Sequence, residues 1–535
     1  MENELVEFII RYEAKVSDLE KQCCIANYNA SISGKPEDFE KSSSLELALN
    51  KIYANRDDFA LLSKIKNSNT INEEVLKRYL FLVHKKYAGN QYDEEILEKI
   101  QKTSSKIEQT YSIYRADLDG LHVSDNDIEK ILTDCTDSAK LQAAWTASKQ
   151  IGGVVNKDVL ELVNLRNKAA KSLGYKNYFE KSFSLNEQNV DEIEELFNRL
   201  DELTKDEFAK IKDNIDTFLA ARLNIEKNEL KPWHYQERFF QHSPAIFNVD
   251  LDKYFINKDL VEITRQFFNS INLNIDDIIE KSDLFEKEGK YQHAYCTNID
   301  RNGDIRVLCN IKNNSRWMGT MLHEFGHGVY DKFINPELPW ELRTHVHIFA
   351  TEAIAMFFGR LVYNADWLKH TLNLSVEETE NIRMECNNAL KYDQLVFSRW
   401  AQVVFRFEKA MYENPEQDLN SLWWTLVEKY QLVKKPEGRN EPDYAAKIHI
   451  ALYPAYYHNY LLGELLASQF YYYITEKVLK LQDVDDKSFY NKEDLGEYFK
   501  NLFFNYGAFY NWNELIKKAT GEKLTPQYYA KQFIR

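Results

Sequence analysis

The sequence predicts a mainly α-helical protein, and three observations carry that prediction. Turn residues are scarce: 535 residues contain only 17 Gly and 10 Pro, too few for a turn-dense β protein. The balance of 44% hydrophobic and 28% charged residues suits a soluble helical globule. Apolar residues recur at helical spacing along most of the chain, and a single segment carries a clear hairpin signal. At this length the chain can bury a large core. No repeat, low-complexity tract or long Pro/Gly/Ser linker divides it, so one unit spanning 1–535 is expected.

In chain order, Val6 to Ile25, Leu45 to Ile65 and Glu74 to Tyr87 read as amphipathic helices. They are broken near Ser33-Gly34-Lys35-Pro36 and Ala88-Gly89-Asn90, where Gly and Pro punctuate the pattern. This helical N-terminal region runs to about residue 115. Further helices are expected over Ser138–Gln150, Lys157–Ser172, Val190–Ala221 and Lys258–Ile271.

The exception comes next. Tyr291 to Asp300 and Asp304 to Lys312 flank Arg301-Asn302-Gly303, and Asn-Gly is the strongest short hairpin signal. With Asn302-Gly303 as the turn, Cys296 falls opposite Cys309. An edge strand there offers backbone N–H and C=O groups to an extended peptide; the alternative reading is plain scaffold.

Directly after the hairpin stands Met321-Leu322-His323-Glu324-Phe325-Gly326-His327-Gly328-Val329-Tyr330. Two histidines four apart on a helix share one face, about 5–6 Å between Cβ atoms, which suits two corners of a tetrahedral zinc site. Glu324 sits beside such a metal, where it can take a proton from an attacking water. Asn313, Asn314 and Ser315 supply N-cap candidates, and Met318, Leu322, Phe325 and Val329 keep helical spacing for burial. A catalytic zinc needs a third protein ligand. Glu341 to Val362 reads as the next helix and carries Glu352, the expected third ligand. His345 and His347 are rivals, but Pro336 and Pro339 place them near the start of that helix. Ala353, Ala355 and Gly359 are small enough to let the two helices approach closely. The zinc-binding core is thus expected over about 290–365.

The segment 444–470 holds a second constellation, with Lys447, His449, Tyr453, Tyr456, Tyr457, His458, Asn459 and Tyr460. A zinc hydrolase needs a donor for the oxyanion that develops on the attacked carbonyl, and Tyr or His commonly serves. In a chain with 33 Tyr packing is the competing reading.

Net charge is −16 and no basic stretch with interleaved aromatics stands out, which argues against nucleic acid as a partner. No run of about 18 apolar residues suggests a membrane span. The N-terminus has acids where a signal peptide needs bases, and the six cysteines form no Cys-x-x-Cys pair. Free thiols in a cytoplasmic setting are therefore expected.

With these residues in view, the chain resembles the angiotensin-converting enzyme family of zinc peptidases and, more loosely, thimet oligopeptidase. Outer matches are Ala26-Asn27-Tyr28-Asn29, Leu165-Arg166-Asn167-Lys168-Ala169-Ala170 with Leu173-Gly174-Tyr175, Trp423-Trp424 with Lys429-Tyr430-Gln431, Trp512, and Thr520-Gly521. The resemblance implies a two-lobed helical fold with a deep central channel, an N-terminal lid, and a short antiparallel sheet next to the zinc helix. It implies one zinc held by His323, His327 and Glu352, with Glu324 as general base and then proton donor to the leaving amine. His293 and Ala294 match a substrate-binding His-Ala on the family's edge strand. Lys447 and His449 match its Lys-x-His, which binds the end of the substrate and a peptide carbonyl. Tyr457 and Tyr460 match its two active-site tyrosines, with Tyr460 as oxyanion donor; Tyr453 keeps a spacing of the thimet oligopeptidase relatives.

There are departures. The third ligand lies one residue farther along than in angiotensin-converting enzyme. Met356 stands where that family has an aspartate holding a zinc histidine, so the orienting carboxylate must come from elsewhere. Asn459 replaces a chloride-binding arginine, and Gln236 is shifted by one from the glutamine that grips the substrate's terminal carboxylate. The implied activity is hydrolysis of short peptides with release of C-terminal dipeptides and no obligate protein partner. The alternatives are oligoendopeptidase or carboxypeptidase cleavage on the same scaffold, or a peptide-binding protein without chemistry.

Overall fold

The computed structural model describes residues 1–247, 250–482, 484–485 and 487–534. Apart from two short two-stranded antiparallel sheets, the described residues form helices and their connections, so the mainly helical expectation holds. The chain gathers into two compact units. One comprises Met1–Gln91, Val249–Cys386 and Leu462–Tyr528; the other comprises Tyr92–Asn248, Asn387–Leu461 and Tyr529–Arg535. No composition shift marks the crossing points, because each unit is assembled from segments of the same helical character.

In the first unit the N-terminal helix runs over Glu2–Ser33 and closes on Gly34 at φ 65°. A Cβ on Gly34 would lie 2.1 Å from the Gly289 carbonyl oxygen, so both the turn and the close approach require glycine. The expected helix over 45–65 is two helices, Pro36–Tyr53 and Arg56–Ser68. Asn55 separates them: its side chain accepts the Asp58 amide at 2.9 Å, and an Asn N-cap starts a new helix where apolar periodicity alone sees continuity. Phe8, Tyr12, Tyr53, Leu62, Tyr79 and Tyr87 pack the core of these helices.

The hairpin is shorter than predicted and its register differs. Its strands are Tyr295–Asn298 and Ile305–Leu308, and Cys296 pairs with Val307, not Cys309. The reason is Asp300. Its Oδ1 accepts the amides of Asn302 (2.9 Å) and Asp304 (3.1 Å), while Asn298 Oδ1 accepts the Arg301 amide at 2.8 Å. These side chains close a four-residue loop in which both Arg301 and Gly303 have positive φ, so the two-residue Asn-Gly turn is not used. Both cysteines are free thiols. His293 and Ala294 precede the strand instead of lying on it.

The metal helix spans Ser315–Lys332, with Asn314 as N-cap accepting the Trp317 amide at 2.9 Å. The following helix is shorter than predicted, Ile348–Gly359. Its N-cap is His347, whose Nδ1 accepts the Phe349 amide at 3.2 Å. The two helices touch backbone to backbone. A Cβ on Gly326 would sit 2.9 Å from Ala355 Cα and 3.2 Å from the Ile354 oxygen, and one on Gly359 would sit 3.4 Å from His323 Cβ. The Ala353 backbone nitrogen lies 3.4 Å from a would-be Cβ on Gly463. On the opposite side Gly328 lets the hairpin lie on the metal helix, with Cys296 Sγ and Ile305 at 3.7 Å from its would-be Cβ.

In the second unit the two helices expected over 138–172 are one, Ser138–Ser172. It runs unbroken through Gly152-Gly153, where a Cβ on Gly152 would come within 2.5 Å of the Pro442 oxygen. That glycine serves a close backbone approach, not a break. The helix Val190–Leu223 and the short helix Ile448–Leu452, which carries His449, also belong to this unit.

Gly326→Ala is expected to destabilise by about 1–3 kcal/mol, as overpacking does when the opposing atoms are backbone. Thermal unfolding of the zinc-loaded protein checks this; an unchanged midpoint would show that the two helices can part freely.

Candidate active site

The first unit builds a metal site from two helices. Successive turns of the metal helix present His323 and His327 with ring centroids 4.9 Å apart. Because Gly326 and Ala355 bring the next helix close, Glu352 Oε2 stands 3.7 Å from His323 Nε2 and 3.9 Å from His327 Nε2. One donor atom from each residue lies within 4.8 Å of the others. Tetrahedral zinc with ligands at 2.0–2.2 Å spaces them about 3.3–3.6 Å apart, so a small contraction closes the set around an ion.

The electrostatics fit a dication as well. Burial lowers His323 to about 4 and holds His327 well below its ordinary value, helped by His323 and His345; both rings are neutral, with lone pairs to give. Burial, with Glu464 nearby, raises Glu352 to about 7. Burial and then Glu352 raise Glu324 to about 8. Two carboxyls enclosed with neutral imidazoles form a pocket whose charge a divalent cation balances. His323 keeps 30% of its side chain exposed, which leaves an approach to the site.

His327 Nδ1 lies 2.7 Å from Thr351 Oγ1. The ring therefore donates Nδ1–H to the hydroxyl and turns Nε2 toward the metal position. For this histidine the orienting group is a threonine hydroxyl one residue before the glutamate ligand, not the carboxylate expected from elsewhere. The rivals are accounted for: His347 caps its helix, and His345 Nδ1 lies 3.7 Å from Asp331. Glu324 receives the backbone amide of Cys296 from the hairpin, so the strand beside the metal helix positions the carboxylate expected to act as base. His293 is exposed.

The second unit assembles the other constellation. Lys447 Nζ donates to Gln241 Oε1 at 2.8 Å and stands 5.4–5.7 Å from the ring centres of Trp400, Tyr457 and Phe239. Tyr457 accepts from Trp400 Nε1 at 2.9 Å and reaches Gln241 Oε1 at 3.5 Å. The rings of His449 and Tyr457 meet edge to face at 5.1 Å, and those of Tyr457 and Tyr460 at 5.3 Å. Burial, then Lys447, lowers His449 to about 4, making it a neutral ring. Burial also lowers Lys447 to about 8, against the pull of Glu237. Tyr453 is half exposed, 6.1 Å from the His449 ring.

Gln241 is the residue that sequence reasoning missed. Gln236, closest by position, donates to the Thr133 oxygen at 2.9 Å instead. The chain between them turns through positive φ at Gln236 and Phe240, so linear spacing does not carry over. Asn459 holds Gln188 through its oxygen (3.0 Å) and the Tyr456 carbonyl through its amide (3.0 Å), a neutral arrangement in place of an arginine.

Comparisons with known proteins agree with this geometry. The sequence model of the angiotensin-converting enzyme family matches residues 1–529. An angiotensin-converting enzyme of Theromyzon tessulatum is 21% identical over 429 residues, covering 75% of this chain and 69% of that protein. One of Oryctolagus cuniculus is 23% identical over 282 residues, covering 51% of this chain and 20% of that longer protein.

Thr351→Val removes the partner of His327 while keeping shape. Zinc affinity is expected to fall about 10–100-fold, measured by competition with a chromophoric chelator; unchanged affinity would mean the hydroxyl does not orient the ring.

Proposed function

The chain belongs to the angiotensin-converting enzyme family of zinc metallopeptidases, and from that membership we propose that it hydrolyses short peptides and releases dipeptides from their C-termini. The observation that carries the dipeptide reading is the caged Lys447, paired with Gln241 beside Tyr457. A lysine and a tyrosine hydroxyl, both anchored on the Gln241 amide oxygen in one aromatic surround, suit a peptide's terminal carboxylate.

His323, His327 and Glu352 would hold the zinc ion. Once bound, the ion polarises a peptide carbonyl and lowers the pKa of water toward about 7. The remaining work falls to the chain. Glu324, aimed by the Cys296 amide, takes the proton of the attacking water and passes it to the leaving amine. Tyr460 donates its hydroxyl proton to the oxyanion that develops on the carbonyl. Neutral His449 holds a substrate peptide group, and His293 with Ala294 holds the extended backbone. Lys447, Gln241 and Tyr457 grip the terminal carboxylate. We assign the protein to a reducing, cytoplasmic compartment, which suits its six free cysteines. Among the described residues no helix is long and apolar enough to cross a membrane.

Glu324→Gln is expected to keep zinc and lose hydrolysis, because only the base is removed; turnover at the native rate would sink the mechanism. Tyr460→Phe is expected to lower kcat about 10²–10³-fold with little change in KM, whereas a selective rise in KM would make Tyr460 a binding residue. The mode of cleavage is read by mass spectrometry of products from 5–15-residue peptides, free and C-terminally amidated. Dipeptides from free termini alone support the proposal, and internal cuts regardless of amidation move the protein to the oligopeptidases. Lys447 is protonated below about 8, so KM for free-carboxylate peptides is expected to rise as pH climbs through that value. The KM of amidated peptides should stay flat there; parallel curves would detach Lys447 from the carboxylate.

A further inference from the structure

Arg166, in the Leu165–Ala170 match noted above, is 7% exposed and lies in the second unit with His449 and the tyrosines. Its guanidinium donates to the Leu452 carbonyl at 3.1 Å, the Ala451 carbonyl at 3.4 Å and the Tyr412 hydroxyl at 3.2 Å. Ala451 and Leu452 end the short helix Ile448–Leu452, whose last carbonyls have no partners within the helix itself. Arg166 is thus the C-terminal cap of the five-residue helix that carries His449.

Three residues on, Ala455 sits at φ 57°, a left-handed conformation that costs an L-residue about 1–2 kcal/mol. Its amide faces Glu408, a carboxyl 1% exposed. Among the described residues Glu408 Oε1 has no hydrogen-bond partner. Tyr457 and Tyr460 follow directly, the latter in the helix His458–Tyr473. One buried arginine and one buried carboxyl therefore take hold of the two ends of the same turn, 451–455. That turn sets the angle between the His449 helix and the tyrosines.

We propose that Arg166, assisted by Glu408, is a positioning residue: it holds the 451–455 turn in its left-handed form and so fixes His449, Tyr457 and Tyr460 for catalysis. A helix of five residues is too short to keep its shape unaided. Two carbonyls bound by one guanidinium supply the constraint that its own hydrogen bonds do not. Glu408 holds the Ala455 amide through an oxygen that an uncharged amide side chain also offers. Lysine at 166 would keep the charge but lack the planar fork that reaches two carbonyls at once. The inference rests on the roles proposed above for Tyr460 and His449.

The test uses the full-length, zinc-loaded protein. Arg166→Met is expected to lower kcat/KM about 10–100-fold at unchanged zinc content, and to speed hydrogen exchange of amides 451–460 at least about tenfold. Glu408→Gln should stay within about threefold of wild type in both readings. Adding Ala455→Gly to Arg166→Met should recover at least about threefold, because glycine takes positive φ without the steric cost. In a Tyr460→Phe background the Arg166→Met loss should shrink to under about threefold, the non-additivity of residues acting through one another. Unchanged exchange in Arg166→Met, or the same loss in both backgrounds, overturns the proposal. If Tyr460→Phe alone keeps full turnover, the proposed role of Tyr460 fails, and the exchange measurement still decides whether Arg166 holds the turn. Should Arg166→Met not fold, Arg166→Lys carries the same comparisons.

Discussion

The metal site depends on the backbone contact between Gly326 and Ala355. Two histidines four apart would face the same way on any helix; what makes them a site is a carboxylate arriving from a second helix at 3.7–3.9 Å. Any side chain at 326 would meet Ala355 Cα at 2.9 Å and force the helix that carries Glu352 outward. The approach is secured on further sides. Gly463 admits another helix against Glu352 and Met356, with its would-be Cβ 3.2 and 3.0 Å from their atoms. Arg360, at the end of the glutamate helix, pairs with Glu464 on that third helix and donates to Ser468 at 3.1 Å. Burial first, and then repulsion from Glu464, disfavour the ionised form of Glu352. Close packing thus encloses carboxyls whose ionised forms a dication would stabilise, and ion binding and folding would reinforce each other.

The hairpin links that site to the N-terminal helices within the first unit. Its strand gives the Cys296 amide to Glu324, and its loop projects Arg301 in the other direction. Arg301 lies over the Trp340 ring at 4.1 Å and donates to Glu20 at 2.8 Å. Glu341, 2% exposed, accepts the Tyr12 hydroxyl at 3.0 Å and pairs with Lys86 at 2.5 Å. Buried charges of this kind add little net stability, but removing one partner strands the other. They therefore specify where the N-terminal helices sit against the hairpin loop. The four-residue loop that displaced the predicted turn is what brings Arg301 into this network.

Much of this was legible in sequence because helical spacing and the His-Glu-x-x-His pattern are local. His323, Glu324 and His327 follow from short spacings within one segment, whereas Glu352 and the gathering of Lys447, His449, Tyr457 and Tyr460 are expected from the family resemblance. What was not legible depends on side chains that close turns or on contacts distant in sequence. Asn55 splits a helix through one side-chain hydrogen bond, and Asp300 shifts a register through two. The two helices expected over 138–172 are one, and Gly152 within it makes a contact with residue 442 that no local pattern announces. Thr351 and Gln241 escaped notice because a hydroxyl and an amide are common on any surface. Only the fold shows that one meets His327 and the other Lys447.

The setting of Lys447 explains how an acidic chain of net charge −16 could single out a peptide's end. An exposed lysine would attract any anion through screened solvent and discriminate little. Here burial among three aromatic rings opposes the ammonium's charge, while Gln241 offers a neutral acceptor and Glu237 pulls without bonding to it. If Lys447 meets that end as proposed, a terminal carboxylate entering such a site compensates the charge that burial opposes, whereas a carboxamide does not. Discrimination between the two ends would then come from that difference in charge compensation and not from screened attraction alone.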